Sequence, residues 1–235
     1  MQKLHFYIHP HAVFKWYLFK DIQRIADQYL FEGSVLDVGC GQKPYRFLFK
    51  KTKKYMGIDL NTYSKNQVFN TQKPDTYFTK DYTKNYTLPY ATNSYDHTVS
   101  FQVLEHHKKP AKMISELVRV TKPGGLILIS APFIEGLHEE QHDYYRFTKY
   151  ALIDLFKTND CKIVEVIHQG SVFSTITMIR MDALIEFAQK NTITRSLSYM
   201  IYPFFLLASY LSLILDFFAR SQRIYLNYLV LAKKV

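Results

Sequence analysis

Two carboxylates and a pair of glycines are spaced as they would be to hold a ligand that carries hydroxyls and a positive charge. Ser34-Val35-Leu36-Asp37-Val38-Gly39-Cys40-Gly41 is an apolar run that ends in an acid and a glycine turn, and Asp59 closes a second apolar run, Tyr55-Met56-Gly57-Ile58-Asp59. Such a run reads as a buried strand, the glycines let main chain approach a ligand, and an acid about 20 residues further on is placed to take ribose hydroxyls. The pattern is that of a nucleotide cofactor. A dinucleotide fingerprint, G-x-G-x-x-G, uses its third glycine for helix packing beneath a pyrophosphate, but that position is Pro44 here. Asp37, just before the turn, suits a cofactor with an ammonium group.

These residues resemble the first motif and the ribose-binding acid of the class I S-adenosylmethionine-dependent methyltransferases, and the likeness continues along most of the chain. Asp81-Tyr82 is similar to the pair that receives adenine. Leu88-Pro89-Tyr90 and Asn93-Ser94-Tyr95-Asp96 resemble the family's approach to its fourth strand. Val103-Leu104-Glu105-His106 and Val120-Thr121-Lys122-Pro123-Gly124-Gly125 resemble its post-strand segment and the turn into the fifth. The resemblance implies S-adenosyl-L-methionine as cofactor, held by Asp37, Gly39, Cys40, Gly41, Asp59, Leu60, Asp81, Tyr82 and Gln102. Two departures bear on the pocket. Lys43 stands where the family often has a third glycine, and the gap from Asp81 to Pro89 is longer than usual.

Elements that could position these residues alternate along the chain. Helix-period apolars from Phe14 to Tyr29 fall in an N-terminal helical segment, 1–33. Strands are expected at Val35–Val38, Tyr55–Asp59, Tyr77–Lys80, Thr98–Phe101, Leu126–Ala131 and Lys162–His168, with helices at Ala111–Val120 and Tyr150–Lys157. The expected fold is α/β: a Rossmann-like, doubly wound, mostly parallel sheet in one domain, 1–235. Gly39, Asp59, Asp81, Gln102 and Phe133 then lie at strand carboxyl ends, where such sheets bind ligands. Lys50-Lys51-Thr52-Lys53-Lys54 reads as a solvated helix end, its charge complementing the dipole.

The last third departs from this alternation. Leu197–Leu215 carries no charge and is framed by Arg195 on one side and by Arg220 and Arg223 on the other. It is just long enough to be considered a membrane span. Ile224–Lys233, however, has strand character and resembles the final antiparallel strand of the family. A single crossing would leave that strand on the wrong side of the bilayer. A helical hairpin at 171–223, with Ser171–Gln189 as first arm and Pro203 in the second, is compatible with peripheral membrane contact. The alternative is a core-packed or dimer-forming helix pair. A net charge of +10 over 235 residues favours an anionic surface, and Phe14-Lys15-Trp16-Tyr17-Leu18-Phe19-Lys20 suits the headgroup level.

Composition excludes several classes. Two cysteines, Cys40 and Cys161, exclude a disulfide framework and fit a reducing cytosol. Met1-Gln2-Lys3-Leu4-His5 opens no signal-peptide pattern. Nucleic acid is not the expected acceptor. The N-P-P-(Y/F) string of amino-group base methylation is replaced by Phe101-Gln102-Val103-Leu104, and neither cysteine is placed as a C5 nucleophile. Ribose methylation stays open.

His138-Glu139-Glu140-Gln141-His142 spells H-E-x-x-H, but it follows a strand and precedes a helix that Thr148 would cap, so no metal is expected. His142-Asp143-x-x-Arg146-x-Thr148 resembles an acceptor-pocket loop of type 11 methyltransferases that accompany bacterial cell-surface glycan synthesis. Transfer of methyl to a hydroxyl needs a base. His106, His107, His138 and His142 are candidates, with His142 first, Asp143 and Arg146 orienting the acceptor, and His106 second. The resulting expectation is O-methylation of a small-molecule, glycan or lipid-linked acceptor, in the cytoplasm at the inner face of the membrane. A nicotinamide oxidoreductase is the rival enzyme. A catalytically inactive, cofactor-binding scaffold of a membrane biosynthetic complex is the rival from another class.

Overall fold

The computed structural model describes residues 9–60, 73–78, 86–218 and 223–235. Asp81, Tyr82 and Arg220 lie outside the described residues. In chain order the elements are helix α1 (Ala12–Tyr29), strands β1 (Gly33–Val38), β2 (Thr52–Asp59), β3 (Thr76–Tyr77) and β4 (His97–Phe101), helix α2 (Pro110–Val120), strand β5 (Leu126–Pro132), helix α3 (Lys149–Lys157), strand β6 (Cys161–Gln169), helices α4 (Val172–Gln189) and α5 (Thr192–Phe218), and strand β7 (Asn227–Lys234).

Seven strands form one sheet in the order β3-β2-β1-β4-β5-β7-β6. The pairs β1–β2, β1–β4, β2–β3 and β4–β5 are parallel. β7 runs the other way: Lys234 N–H donates to Gly125 at the start of β5, whereas Phe133 N–H, past its end, donates to Leu226. The result is the expected mostly parallel α/β sheet with its antiparallel strand last in sequence. β5 is buried over all its length, as a strand covered on both faces must be.

The chain divides into two compact units. One comprises Asp21–Ala131, Glu139–Ile167 and Leu229–Val235. Its core is built from Val35, Leu36, Ile58, Val99, Ile127 and Leu128 of the strands, with Ile114 and Leu117 of α2 and Leu152 and Phe156 of α3. Pro110, at the first turn of α2, has no N–H to leave unbonded there. Glu116 of that helix is buried, accepts Leu88 N–H at 2.7 Å and pairs with Arg119, whose guanidinium donates to the carbonyls of Leu88 and Tyr90. The Leu88-Pro89-Tyr90 string is thus tied to the helix that supports β4. Thr148 caps α3, its hydroxyl accepting Ala151 N–H.

The second unit takes in residues up to Lys20, Pro132–His138 and His168–Tyr228. Helices α4 and α5 pack against each other, and Pro203 lies inside α5. Asp216, buried near the end of α5, accepts the N–H groups of Phe173 and Ser174 in the first turn of α4 and the Tyr17 hydroxyl. A carboxylate at those N–H groups satisfies donors that have no partner within the helix and complements its dipole.

One local expectation is overturned. Lys50 and Lys51 lie in a turn, and Lys53 and Lys54 begin β2, so the run is not a helix end. After the glycine turn the chain makes a single 3-10 turn, Arg46–Leu48, and returns directly to β2.

Candidate active site

Register places the two carboxylates. Asp37 faces Gly57 of β2 and Val99 of β4, and the next residues of the chain turn back so that Gly39 and Cys40 donate N–H to the carbonyl of Ile58. Asp59 therefore ends β2 beside the turn. Its carboxylate accepts Gly41 N–H at 2.5 Å and Leu60 N–H at 2.6 Å. An ionised carboxylate offers roughly four acceptor positions, the chemistry that ribose hydroxyls need.

Asp37, Gly39, Cys40, Gly41, Gln42, Pro44, Tyr45, Phe101 and Gln102 line a cavity of about 310 Å³ at the carboxyl ends of β1 and β4. That volume is at the small end of ligand pockets. Tyr45 meets Phe101 edge to face, 5.0 Å between ring centres. Gln102 adopts a positive φ of 55° and is fastened to β5, its N–H and its amide nitrogen both within 3.1 Å of the Ser130 hydroxyl.

Asp37 is fully buried, and burial pushes its carboxyl up to about 7 even though the Tyr55 hydroxyl donates to it at 2.7 Å. The Asp59 charge adds to the rise and Lys43 opposes it. A cation at this acid would restore its ionised form. A buried acid in the wall of a lined cavity, with the Asp59 carboxylate beside it, is chemically suited to the ammonium and sugar of S-adenosylmethionine.

Lys43, the departure from the family's glycine, has φ +54° and a buried side chain whose ammonium lies 2.6 Å from Asp75. The same Asp75 oxygen accepts Gly57 N–H at 2.7 Å. Burial alone would raise the Asp75 carboxyl, but Lys43 and Gly57 outweigh it and hold it below the ordinary carboxylate value. Gly57 is required here because a Cβ would stand 2.5 Å from the Cys40 sulfur and 2.7 Å from Lys43 Cε. Burial also pushes the Cys40 thiol far up, so it is a packed, protonated side chain.

Gly39 also meets a constraint from the protein itself. Its φ is +73°, and an added Cβ would lie 2.3 Å from a methyl of Val103, the residue that follows Gln102. The side chain of Val103 fills the space that a Cβ would need, while the Gly39 main chain lines the cavity.

The four histidines separate. His107 is buried against the Tyr86 ring, accepts Lys109 N–H on Nδ1, and burial pushes it down to about 4. His138 stands in a loop, its Nδ1 within 3.2 Å of the Gly136 carbonyl. The H-E-x-x-H string lies on no α-helix: His138 is in the loop and Glu140–His142 is a 3-10 turn. The His142 side chain is exposed, but its carbonyl oxygen is 3.0 Å from His106 Nδ1. A carbonyl only accepts, so Nδ1 carries a proton, and Nε2 lies 3.9 Å from the buried Glu105 carboxylate. Tyr144 N–H donates to the Glu105 carbonyl and the Tyr145 hydroxyl to that of Lys108, closing the loop after β5 onto the loop after β4. Arg146 grips Asp143 with two hydrogen bonds of 2.6 and 2.7 Å.

Sequence reasoning missed Lys43, Tyr45, Tyr55, Asp75 and Val103. Only Lys43 carried a signal, its occupation of a glycine position.

Comparison with known proteins bears on the same segment. Residues 36–129, from β1 into β5, match the family model described as a methyltransferase domain. A malonyl-[acyl-carrier protein] O-methyltransferase of Buchnera aphidicola subsp. Baizongia pistaciae is 33% identical over 161 residues, 61% of this chain and 62% of that protein. An uncharacterized methyltransferase of Mycobacterium tuberculosis is 41% identical over 63 residues, 25% of this chain and 24% of that protein. The chain thus spans less than two thirds of the curated relatives it matches.

Among solved structures, a SAM-dependent methyltransferase from Archaeoglobus fulgidus has the same fold, with a TM-score of 0.54, 14% identity, and 92% of this chain and 93% of that one covered. The [4+2]-cyclase SpnF also has it, with a TM-score of 0.52, 19% identity, and 90% and 80% covered. Fold alone therefore does not name a reaction. Residues 36–129 thus match a methyltransferase-domain model, and the chain shares its fold with solved S-adenosylmethionine-dependent methyltransferases.

Proposed function

We propose that the chain transfers a methyl group from S-adenosylmethionine to an oxygen of a glycan or lipid-linked small molecule at the cytoplasmic membrane face. The observation that carries the reading is the cavity at the ends of β1 and β4, with Asp37 in its wall and Asp59 beside it on β2. Asp37 would take the ammonium of the cofactor, Asp59 its ribose hydroxyls, and the main chain of Gly39, Cys40 and Gly41 would lie against it. Leu60 and Gln102 flank these, and Asp81 and Tyr82 keep their proposed place at the adenine. When bound, the cofactor supplies a methyl already activated on a sulfonium.

The protein's task is then to align an acceptor and take its proton. Alignment can supply roughly 7–11 kcal/mol of the barrier reduction. His106 is the better-placed base: the His142 carbonyl orients its ring through Nδ1, and the Glu105 carboxylate, 3.9 Å from Nε2, would stabilise the imidazolium formed when the ring takes a proton. Asp143 and Arg146 hold the loop that carries His142 rather than binding acceptor directly, since each occupies the other. Oxygen as acceptor atom is supported by the name of the Buchnera relative, an O-methyltransferase. Incubating the full chain with methyl-labelled cofactor and a bacterial lipid and glycolipid extract tests this. Label in an organic-soluble product that resists mild base would identify an ether, and label lost to mild base an ester. Label retained wholly by the cofactor, despite cofactor binding, would favour the inactive scaffold.

A further inference from the structure

Helix α5 is turned inside out. Its buried residues are Ser198, Ser209, Ser212 and Asp216, whereas Met200, Phe204, Leu207, Leu211, Ile214 and Phe218 are exposed, Phe204 at 72% and Phe218 at 78%. The exposed six recur at alternating spacings of four and three, so they form one stripe along the helix. A helix of a water-soluble protein places its apolar stripe inward and its polar residues outward. Here the serines are buried, Ser212 within 3.4 Å of the Thr177 hydroxyl of α4, and each returns its hydroxyl to its own helix: Ser198 to the Thr194 carbonyl at 2.8 Å, Ser209 to Phe205 at 2.9 Å, Ser212 to Ser209 at 2.6 Å. Small residues with internally satisfied hydroxyls at the helix contact, and apolar ones outside, are the arrangement of helices in lipid.

We infer that α5 lies along the surface of a bilayer rich in anionic phospholipid, with its outward stripe among the acyl chains. The inference rests on the membrane-facing part of the proposed function and not on methyl transfer. Crossing is excluded by the partner elements. α4 carries Arg180, Asp182 and Glu186 and cannot be a second span, and β7 returns to the sheet between β5 and β6, which a single span would forbid. A helix of 27 residues lying flat extends about 40 Å along the interface.

Charge selects anionic headgroups. No charged residue stands between Arg195 and Asp216, and Asp216 is buried. The exposed charges at the ends of the pair and beside it include Arg180, Lys190, Arg195 and Arg223, with Arg180 set over the Phe205 ring at 5.5 Å. In the same unit Lys20 lies over the rings of Trp16 and Tyr17, a basic and aromatic edge suited to headgroup depth. A second copy of the chain is the competing occupant. A helix-pair seam, however, is narrow and edged with charges, and here Leu197, Ile201 and Leu215 beside the stripe are exposed and apolar as well.

The test is flotation of the full chain with phosphatidylcholine vesicles with or without phosphatidylglycerol, beside a Phe204→Glu/Leu211→Glu variant. The wild type should float with the anionic vesicles, and about 0.5 M salt should release part of it. The variant's bound fraction should fall at least about tenfold, with its melting temperature and S-adenosylmethionine affinity unchanged. A wild type that stays at the bottom of the gradient overturns the inference. So does a variant that melts markedly lower, which would make the stripe core, or a wild-type dimer that the substitutions dissociate without any flotation. Flotation without cofactor binding would instead sink the methyltransferase reading and leave this one standing.

Discussion

The ring of His106 is held by the backbone of His142: Nδ1 lies 3.0 Å from that residue's carbonyl oxygen. The contact gives the two histidines different work. In the proposed mechanism His106 is the base, and His142 contributes a main-chain atom that any side chain at that position would also supply. His106→Ala should therefore lower methyl transfer about 10²–10⁴-fold while leaving cofactor affinity unchanged, and His142→Ala should keep most activity. A dead His142→Ala beside an active His106→Ala in the same assay would return the role to the His142 ring.

Asp37 makes cofactor affinity depend on pH. With burial pushing its carboxyl up to about 7, the free protein carries a proton there that an incoming ammonium would displace. Affinity for S-adenosylmethionine should then rise with pH, by up to about tenfold per unit below pH 7, and level off above it. Folding runs the other way. A carboxyl raised above its unfolded value contributes stability fully below about pH 4 and loses it as pH climbs through about 7. Calorimetric titrations between these limits check the first slope, which Asp37→Asn should flatten. An equal slope in the variant would assign the proton elsewhere.

Gly39 and Val103 predict a paired effect. Gly39→Ala must accept φ +73° and a collision with the Val103 methyls, costing about 1–3 kcal/mol in urea unfolding. Adding Val103→Ala should recover part of that loss. If the single variant is as stable as wild type and only cofactor binding suffers, the glycine serves the ligand after all.

Most of the fold was legible because its signals are local. Apolar runs at Val35–Val38 and Leu126–Ala131, the capping threonine at Thr148 and the uncharged stretch after Arg195 each announce themselves within a few residues, and the elements formed there. The Lys50–Lys54 run misled because charge suits a helix end and a turn equally. Site geometry was less legible, since its pairs are distant in sequence: Lys43 with Asp75, Gly39 with Val103, His106 with His142. No periodicity links such partners. Parallel pairing and two converging loops bring them together. The inverted polarity of α5 was hidden for a similar reason, because hydropathy counts residues without saying which side faces α4.

The most direct measurement is isothermal titration of S-adenosylmethionine into the full chain and its Asp59→Ala variant, with NAD as the control ligand. The wild type should bind S-adenosylmethionine and not NAD. Removing a carboxylate that accepts ribose hydroxyls should weaken binding about 10- to 100-fold, as expected for hydrogen bonds to a charged group. Binding of NAD in its place, or equal S-adenosylmethionine affinity in both proteins, would contradict the account.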